Sequence, residues 1–400
     1  MPIGTVAPEQ VLPRAAPPLR VRSIDIVRGA VMVLMALDHV RDWVTSVRFQ
    51  PEDLARSSAA LFATRWVTHF CAPTFFFLAG IGIGLARSKE SGSGRADGLA
   101  RFLIARGVWL LVLELVITPI GWQFGFQLIP AFALVLWALA WSMMAMALLI
   151  RVRPDVLAAL ALAMIGGHNL FDSIRADGSG VPAILWRVLH VPGFAIPGVL
   201  FTAYPLVPWV AVMALGSVAA AAYQWPAERR RRVLISSGAA AITAFLALRA
   251  LNGYGNPAPW AHQRTAALTV ASFFNTLKYP PSLDYLLMTL GPMLIVLALV
   301  EQARGPVARW LSVYGRVPLF FYVVHIFVAH AIAVLLAFAQ SGAPRRIPVV
   351  TDPGAIPPWY GVALPGVYLA WAMVVALMYY PCRRMATLKN ARRDWWLRYL

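Results

Sequence analysis

The chain has 400 residues, 60% of them hydrophobic and only 13% charged, and its mean hydropathy is +0.67. A soluble domain is about one quarter charged, so this composition leaves too little polar surface for folding in water and predicts a membrane protein. The net charge of +18 does not indicate nucleic-acid binding, because the basic residues fall in short clusters between apolar segments. The two cysteines, Cys71 and Cys382, predict no disulfide, and no spacing of Cys and His predicts a metal site.

Long apolar segments follow one another along the chain. A transmembrane helix needs about 20 mostly apolar residues, and this criterion places spans at 24–44, 65–86, 99–119, 129–150, 154–170, 205–223, 233–250, 283–300, 317–338 and 359–380. The sequence therefore predicts an all-α integral membrane protein, whose single bundle of about ten transmembrane helices occupies residues 21–382. Residues 1–20 are predicted to form a flexible cytoplasmic tail, and the basic residues 383–400 a cytoplasmic C-terminal tail.

The distribution of basic residues gives these helices a direction. With the N-terminus inside, the inner segments hold 24 of the 35 Lys and Arg residues and the outer segments hold 11. Basic residues are enriched on the cytoplasmic side of membrane proteins, so both termini are predicted to be cytoplasmic. This orientation requires an even number of spans.

The first predicted helix carries ionisable residues within its span. Asp25, Arg28, His39 and Asp42 fall along one stripe, with Arg28 and His39 about 20° apart around the helix and about 16 Å apart along it. A neutral histidine accepts a proton near pH 7, as a general base must, and Asp42 is one turn away, where it can fix the tautomer. The alternative is a pair of helix-end charges and a packed histidine.

Three further polar residues lie deep in predicted spans. Because a carboxylate within the membrane needs a partner, Glu114 is predicted to form an ion pair with Arg106 or Arg249. His325 lies near the middle of its span, with Tyr322 one turn earlier, where a thioester or a transferred acyl group would pass. A histidine hydrogen-bonded to a neighbouring helix is the alternative for His325.

Several of these segments resemble known enzymes. Residues 22–29 (RSIDIVRG), followed by His39, resemble the opening helix of transmembrane acyltransferases. In those that O-acetylate bacterial surface polysaccharides, an arginine-glycine pair is followed by a histidine at the same separation. The closer resemblance is to the heparan-alpha-glucosaminide N-acetyltransferase-like family of bacterial membrane proteins. It is carried by residues 68–80 (THFCAPTFFFLAG), 278–283 (KYPPSL), 315–325 (GRVPLFFYVVH) and 395–400 (WWLRYL).

The resemblance implies a donor, an acceptor and a location. Acetyl-CoA is offered from the cytoplasmic side of a bacterial inner membrane, and the acetyl group passes through the bundle to an amine or hydroxyl, often of a sugar, on the far side. In the eukaryotic enzyme of this family, a catalytic histidine lies in a loop after the first family helix. Residues 45–64 of this chain contain no histidine. His39 is favoured, because its separation from Arg28 matches the O-acetylating enzymes, and His69 is the second candidate.

Basic residues at the two predicted membrane faces suit the two substrates. Arginine makes bidentate contacts with phosphate, so the cytoplasmic arginines are predicted to bind acyl-CoA. Two residues of the ninth span are predicted to lie along the path of its acyl group. This set is Arg22, Arg28, Arg151, Arg153, Arg316, Tyr322 and His325. On the outer side, Arg65 and His69 share a helix face and, with Asn275 and Lys278, are predicted to line the acceptor site. The alternative for the cytoplasmic arginines is topology determination and contact with lipid headgroups. For the outer set the alternative is an interfacial arginine, a packed histidine and a lysine that lies at the interface.

Acyl transfer is the function that these observations favour. His39 acts as general base on the acceptor, Asp42 orients it, and Arg28 helps to seat acyl-CoA; no metal is expected. The expected partners are membrane lipids, acyl-CoA and a saccharide or other small acceptor, and a homodimer is left open. The alternatives are a transporter or flippase of a small molecule or lipid-linked sugar without covalent chemistry, and a non-catalytic partner in an envelope complex. The sequence has no visible inverted halves, which argues against transport.

Overall fold

The computed structural model describes residues 21–90, 96–126, 128–175, 177–343, 356–392 and 394–399. The described residues are 73% helical, with almost no strand among them. The helices are α1 (Arg22–Val44), α2 (Ala59–Thr68), α3 (Cys71–Glu90), α4 (Ala96–Val112), α5 (Thr118–Gln123), α6 (Val135–Leu149), α7 (Pro154–Gly167), α8 (Val181–Leu189), α9 (Leu206–Ala219), α10 (Ala227–Leu251), α11 (Ala266–Phe274), α12 (Leu283–Leu299), α13 (Pro306–Gly315), α14 (Pro318–Ser341) and α15 (Leu364–Ala391). The predicted N-terminal tail, residues 1–20, lies outside the described residues.

Many of these helices have the length and composition of membrane spans. Eight helical stretches within the described residues are long and apolar enough to cross a membrane: Ala59–Ser88, Asp97–Gln123, Pro154–Phe171, Leu206–Gln224, Ala227–Leu251, Leu283–Gln302, Pro318–Ser341 and Leu364–Ala391. They confirm the prediction of an all-α, multi-pass membrane protein. The other two predicted spans coincide with α6, an apolar helix of 15 residues, and with α1, which has 23 residues and six charged side chains.

Helix α1 lies at the centre of the bundle. It is about 35 Å long at 1.5 Å per residue, and it packs against α3, α13, α14 and α15. Most of its residues are buried, on all sides of the helix. A helix that is buried all round is a core element, which explains how α1 holds charged groups away from lipid.

Pairs of glycines allow close helix crossings. A Cβ atom on Gly29 of α1 would lie 1.9 Å from the Leu311 carbonyl oxygen, and one on Gly315 of α13 would lie 1.8 Å from the Asp25 carbonyl oxygen. Helices α3 and α9 meet in the same way through Gly80. Small residues at crossings let helix backbones approach closely within a membrane, where no hydrophobic force draws helices together.

Strands and a distorted helix occur at one end of the bundle. A three-stranded sheet has the order β1 (Ala131–Ala133), β3 (Leu200–Thr202), β2 (Gly193–Ile196), with β1 parallel and β2 antiparallel to β3. Between α4 and α5 the chain forms a π-helical turn over Leu113–Ile117. At the other end of the chain, α15 continues to Ala391, so residues 383–400 begin inside a helix and end in a 3₁₀ turn at Trp395–Arg398.

Candidate active site

A pair of histidines lies in the interior of the bundle. The Nδ1 atom of His39 in α1 is 2.8 Å from the Nε2 atom of His325 in α14, and the two rings stack with their centroids 5.1 Å apart. His325 is fully buried, and its Nδ1 atom donates a hydrogen bond to the Phe321 carbonyl oxygen, 2.9 Å away. The fold thus joins the two histidines that were predicted for separate roles.

The hydrogen bonds assign the tautomer of His39. Because the Phe321 carbonyl can only accept, Nδ1 of His325 carries that ring's proton, and its Nε2 atom is an acceptor. Nδ1 of His39 is then the donor between the rings, which leaves its Nε2 atom with a bare lone pair. Within the described ranges no residue hydrogen-bonds this Nε2 atom, and His39 is only half-buried. His39 therefore presents a base that His325 orients.

Asp42 is not the partner of His39, which corrects the prediction from the helical stripe. Its Oδ1 atom accepts a hydrogen bond from Nη2 of Arg41, 2.6 Å away. An adjacent guanidinium makes a charge-assisted hydrogen bond with a carboxylate, which is stronger than a bond to a neutral imidazole. The His39 ring meanwhile turns toward α14.

Aromatic rings surround the exposed edge of the histidine pair. Trp122 of α5 and Tyr322 of α14 both lie edge to face with His39, at centroid distances of 5.2 and 6.1 Å. Trp43 stacks on Trp122 at 4.3 Å. Two aromatic rings therefore border His39.

A cluster of charges lies next to the histidine pair, and we call it the Asp38 cluster: Asp38, Arg41, Arg65 and Lys278. Nη1 of Arg65 is 2.5 Å from Asp38 Oδ2, Nη2 of Arg41 is 3.1 Å from Asp38 Oδ1, and Nζ of Lys278 is 3.9 Å from Asp38 Oδ2. All four residues are buried. Two of the predicted acceptor residues, Arg65 and Lys278, thus meet at one carboxylate, which precedes His39 in the chain.

The remaining predicted acceptor residues meet at Glu52, in the loop between α1 and α2. Glu52 Oε1 accepts a hydrogen bond from Nε of Arg65 at 2.7 Å and lies 3.8 Å from Nε2 of His69, while Asn275 donates to the Glu52 carbonyl at 3.0 Å. Burial raises the pKa of the Glu52 carboxyl, but the charge of Arg65 and the hydrogen bond that Arg65 donates outweigh it and hold that pKa well below its usual range. Glu52 therefore stays ionised.

Three residues around these charges keep unused hydrogen-bonding capacity. Nη1 of Arg41, Oε2 of Glu52 and both ring nitrogens of His69 are buried and have no hydrogen-bond partner among the described residues. Buried polar atoms are normally satisfied, and groups that are not call for an explanation. Arg41 and His69 therefore keep donor or acceptor groups, and Glu52 an acceptor, that the described residues do not use.

A cavity of about 280 Å³ lies among α1, α3, α4, α6 and α14. Arg28 and Arg106 line it, and Tyr322, which also faces His39, lines it as well. The rest of its lining is apolar, including Phe75, Leu103 and other residues of α3, α4 and α6. The cavity therefore connects two guanidinium groups with the surroundings of the histidine pair.

Only some of the predicted acyl-CoA residues lie near this cavity. Arg28 lines it, and Arg316 lies close by, because both guanidinium groups approach Asp25, at 4.0 and 3.9 Å. Arg22, in the first turn of α1, is half-buried. The other two arginines do not line the cavity: Arg151 and Arg153 form exposed pairs with Asp97 and Asp155 at the junction of α6 and α7.

Glu114 does not form the predicted ion pair. It lies in the π-helical turn, 1% exposed, and its Oε1 atom accepts a hydrogen bond from the Leu134 backbone N–H at 2.6 Å. Arg249 instead donates to backbone carbonyls of α11 and the loops beside it, Ser272 and Ala258 among them. Backbone amides near β1 thus take the place of the cation that the sequence led us to expect.

Asp38, Glu52 and Trp122 were not proposed for this site from the sequence, and Arg106 was named only as a partner for Glu114. Asp38 and Arg106 lie within predicted spans, so the rule that intramembrane charges are functional candidates was sufficient to find them. Glu52 and Trp122 lie in a loop and near a span end, where charged and aromatic residues are common, so no sequence signal separates them from the background.

Membrane-length helices packed around a histidine pair, with a cavity that Tyr322 shares with the surroundings of that pair, define a multi-pass membrane protein with one candidate site in its interior. The model of the family described as heparan-alpha-glucosaminide N-acetyltransferase, catalytic, matches residues 20–255, which is more than half of the chain. The chain belongs to this family, as the resemblance of its motifs implied. No curated protein matched the chain. The matched region includes His39 and Trp122, whereas His325 and Lys278 follow it.

Proposed function

We propose that this protein transfers an acetyl or other acyl group from cytoplasmic acyl-CoA to a sugar-type amine or hydroxyl on the outer face of the membrane. The observation that carries the proposal is the His39–His325 pair: Nε2 of His39 has no hydrogen-bond partner among the described residues, and the His39 ring faces Tyr322, which lines the cavity. Family membership supports acetyl-CoA as the donor. The donor, the acceptor and the sides of the membrane are part of this proposal.

Nε2 of His39 is the base of the proposed reaction. It takes the proton of the acceptor hydroxyl or amine as that group attacks the thioester carbonyl carbon, and a C–O or C–N bond forms. The intermediate then collapses, the C–S bond breaks, and the CoA thiolate takes the proton from His39. His325 accepts a hydrogen bond from Nδ1 of His39 throughout, which keeps the reactive nitrogen pointed away from α14.

The cavity suits the donor. Arg28 and Arg106 lie at its wall, and guanidinium groups bind phosphates well, so this region is proposed to hold the phosphates of acyl-CoA. Arg316 and Arg22 extend the positive charge at the same end of α1 and α13. The thioester would then lie near Tyr322, within reach of the histidine pair. Arg151 and Arg153 are left with the role of topology determinants or lipid contacts.

The Asp38 cluster, with Glu52, His69 and Asn275, is proposed to bind the acceptor. Its three cations are paired with three carboxylates, those of Asp38, Glu52 and Asp42, so it suits a polar acceptor with many hydroxyl groups better than a strongly charged one. Because the cluster begins at Asp38, next to His39, an acceptor held there would place one of its groups beside the base. The partners proposed are therefore acyl-CoA, a saccharide or similar small acceptor, and the surrounding lipids.

The charge distribution supports a location and an orientation. We propose that both termini are cytoplasmic, in the inner membrane of a bacterium, so that the Arg28 end of α1 faces the cytoplasm and the Asp38 cluster faces the outer side. A homodimer stays an open expectation. Glycine-mediated crossings between helices already account for packing within one chain.

A His39→Ala variant provides the test. Wild-type protein, purified in detergent and mixed with acetyl-CoA and glucosamine-type acceptors, should release CoA and form an acetylated product. His39→Ala should keep its fold and bind acetyl-CoA but lose transfer by at least about 100-fold, the lower bound for a general base. His262→Ala, which changes an exposed loop histidine, is the matched control and should keep wild-type activity.

Two outcomes would contradict the proposal. Wild-type protein that neither binds acyl-CoA nor releases CoA would rule out the acyltransferase. Movement of a solute across vesicle membranes without CoA, unaffected by His39→Ala, would instead support the transporter or flippase.

A further inference from the structure

Acyl transfer requires a hydrogen-bond donor that neither member of the histidine pair supplies. When the acceptor adds to the thioester carbonyl, the carbonyl oxygen gains negative charge, and a preorganised donor there is a large contribution to catalysis. His39 is the base, and His325 has its single N–H bonded to a backbone carbonyl. The donor must therefore come from another side chain beside the pair.

One indole group beside His39 has an unused donor. The Nε1 atom of Trp122 is buried and has no hydrogen-bond partner in the part of the chain that the structure describes. Indole N–H groups usually find a partner when they are buried. Trp122 lies edge to face with His39, with the ring centroids 5.2 Å apart, so this N–H belongs to the immediate surroundings of the base.

The fold holds Trp122 rigidly. It lies in α5, whose Gly121 carbonyl oxygen accepts a hydrogen bond from Nδ1 of His330 in α14 at 2.8 Å. Gly121 is packed so tightly that a Cβ atom there would lie 2.9 Å from Ile326. Trp43 covers the other side of the indole ring at 4.3 Å. Helix α14 therefore positions both groups. Its His330 holds the backbone beside Trp122, and its His325 orients His39.

We propose that the indole N–H of Trp122 donates a hydrogen bond to the acyl carbonyl oxygen and stabilises the tetrahedral intermediate. This inference rests on the proposed acyltransferase function. The acceptor oxygen or nitrogen bonds to the carbonyl carbon, and the π electrons of the carbonyl move to its oxygen, which the indole N–H then binds. When the C–S bond breaks, the carbonyl re-forms and the thiolate takes the proton from His39; the indole keeps its own proton.

Two nearby residues serve as comparisons. Trp43 also has a buried Nε1 atom without a partner among the described residues, but its ring stacks on Trp122 and on His330 and not on His39. Tyr322 faces His39 and lines the cavity, so its hydroxyl is the competing candidate for the same role. Removing one donor group at a time distinguishes these three side chains.

The test measures acetyl-CoA-dependent transfer by full-length Trp122→Phe protein, with Trp43→Phe and Tyr322→Phe in parallel. Trp122→Phe should lower kcat by about 100- to 1,000-fold, with little change in KM for acetyl-CoA, because the bond forms only as charge develops. Trp43→Phe should change kcat by less than about tenfold, because this variant loses only packing of the Trp43 ring and no donor to the acyl group. The pH dependence of kcat should keep the limb that belongs to His39.

A second variant separates the N–H from the shape of the ring. Incorporation of 3-benzothienylalanine at position 122 keeps the bicyclic ring but replaces the N–H with sulfur, and it should lose as much kcat as Trp122→Phe. Near wild-type kcat with this residue would overturn the inference, even if Trp122→Phe fails to fold. A large loss in Tyr322→Phe together with wild-type kcat in Trp122→Phe would also overturn it. An inactive wild-type protein would contradict the proposed function itself, and the inference with it.

Discussion

The two imidazoles of the histidine pair are chemically unequal. His325 is fully buried and both of its nitrogens are bonded, whereas His39 keeps one nitrogen free. In a serine protease triad a carboxylate orients the base and stabilises its protonated form by charge. Here a neutral imidazole does the orienting and supplies no charge, so a protonated His39 is stabilised less. We therefore expect the proton to stay on His39 only briefly before it passes to the thiolate.

Asp38 is expected to be the most important carboxylate for stability. Replacing Asp38 by Asn leaves Arg41, Arg65 and Lys278 without their shared partner in a buried site. Removing one member of a buried ion pair costs about 3–5 kcal/mol, because the remaining charge is uncompensated. Asp38→Asn should lower the free energy of unfolding by about this amount, as measured by chemical denaturation in detergent.

Asp97→Asn is the matched control for this change. Asp97 pairs with Arg151 at 2.9 Å, but the two side chains are 81% and 57% exposed. An exposed ion pair contributes about 0–1 kcal/mol, so this variant should be close to wild type. Equal losses in the two variants would mean that the Asp38 cluster does not behave as a buried network.

Sequence reasoning at the level of single residues singled out His39 but not the residues around it. A helical wheel identifies the buried face of a helix only when the opposite face is exposed. Because α1 is buried on all sides, Asp38 is as enclosed as the residues of the predicted stripe, and the wheel could not distinguish them. The partner of His39 lies in α14, and no local pattern in the sequence links the two. The predicted acceptor residues did come together, because charged groups in a membrane gather where they can neutralise one another.

The ten predicted spans each coincide with a helix, because a long apolar run has few other options in a membrane. Features that depend on tertiary contacts were not predicted: the small sheet, the π-helical turn at Glu114, and the short helix α5 that carries Trp122. Each of these elements has too few residues to produce a recognisable hydrophobic periodicity in the sequence. All three lie close to one another along the chain or in space, beside the candidate active site.

Helix α3 offers a position at which the cavity can be closed. Gly82 lines the cavity, and a Cβ atom at this position would have no other atom within 4 Å. A large side chain at position 82 can therefore occupy the cavity without displacing a helix. Gly82→Phe should raise the Kd for acyl-CoA at least about tenfold, which corresponds to about 1.4 kcal/mol, while the fold is retained. Binding of labelled acetyl-CoA to purified protein measures this change.

Gly166→Phe is a suitable control, since a Cβ atom at Gly166 of α7 also meets nothing within 4 Å and Gly166 does not line the cavity. Gly80 is unsuitable, because a Cβ atom there would lie 2.0 Å from the Met213 carbonyl oxygen. If Gly82→Phe and Gly166→Phe bind acyl-CoA equally well, the donor does not occupy this cavity.

The whole molecule has a polarity along α1. One end of this helix carries Arg28 beside the cavity, and the other end carries His39 together with Asp38 and Arg41 of the Asp38 cluster. A transferase that takes its donor from one side of a membrane and its acceptor from the other needs such an arrangement. The function thus depends on which end of α1 faces the cytoplasm.

The orientation can be measured with single introduced cysteines. Both native cysteines are buried, so they should contribute little background. Ser179 and Glu228 are both exposed, and the charge distribution predicts that Ser179 lies on the outer side and Glu228 in the cytoplasm. A membrane-impermeant maleimide should therefore label Ser179→Cys in intact spheroplasts, and Glu228→Cys only after the membrane is permeabilised. The reverse labelling pattern would place the Arg28 end of α1 outside, where cytoplasmic acyl-CoA does not reach the cavity, and would contradict the proposed direction of transfer.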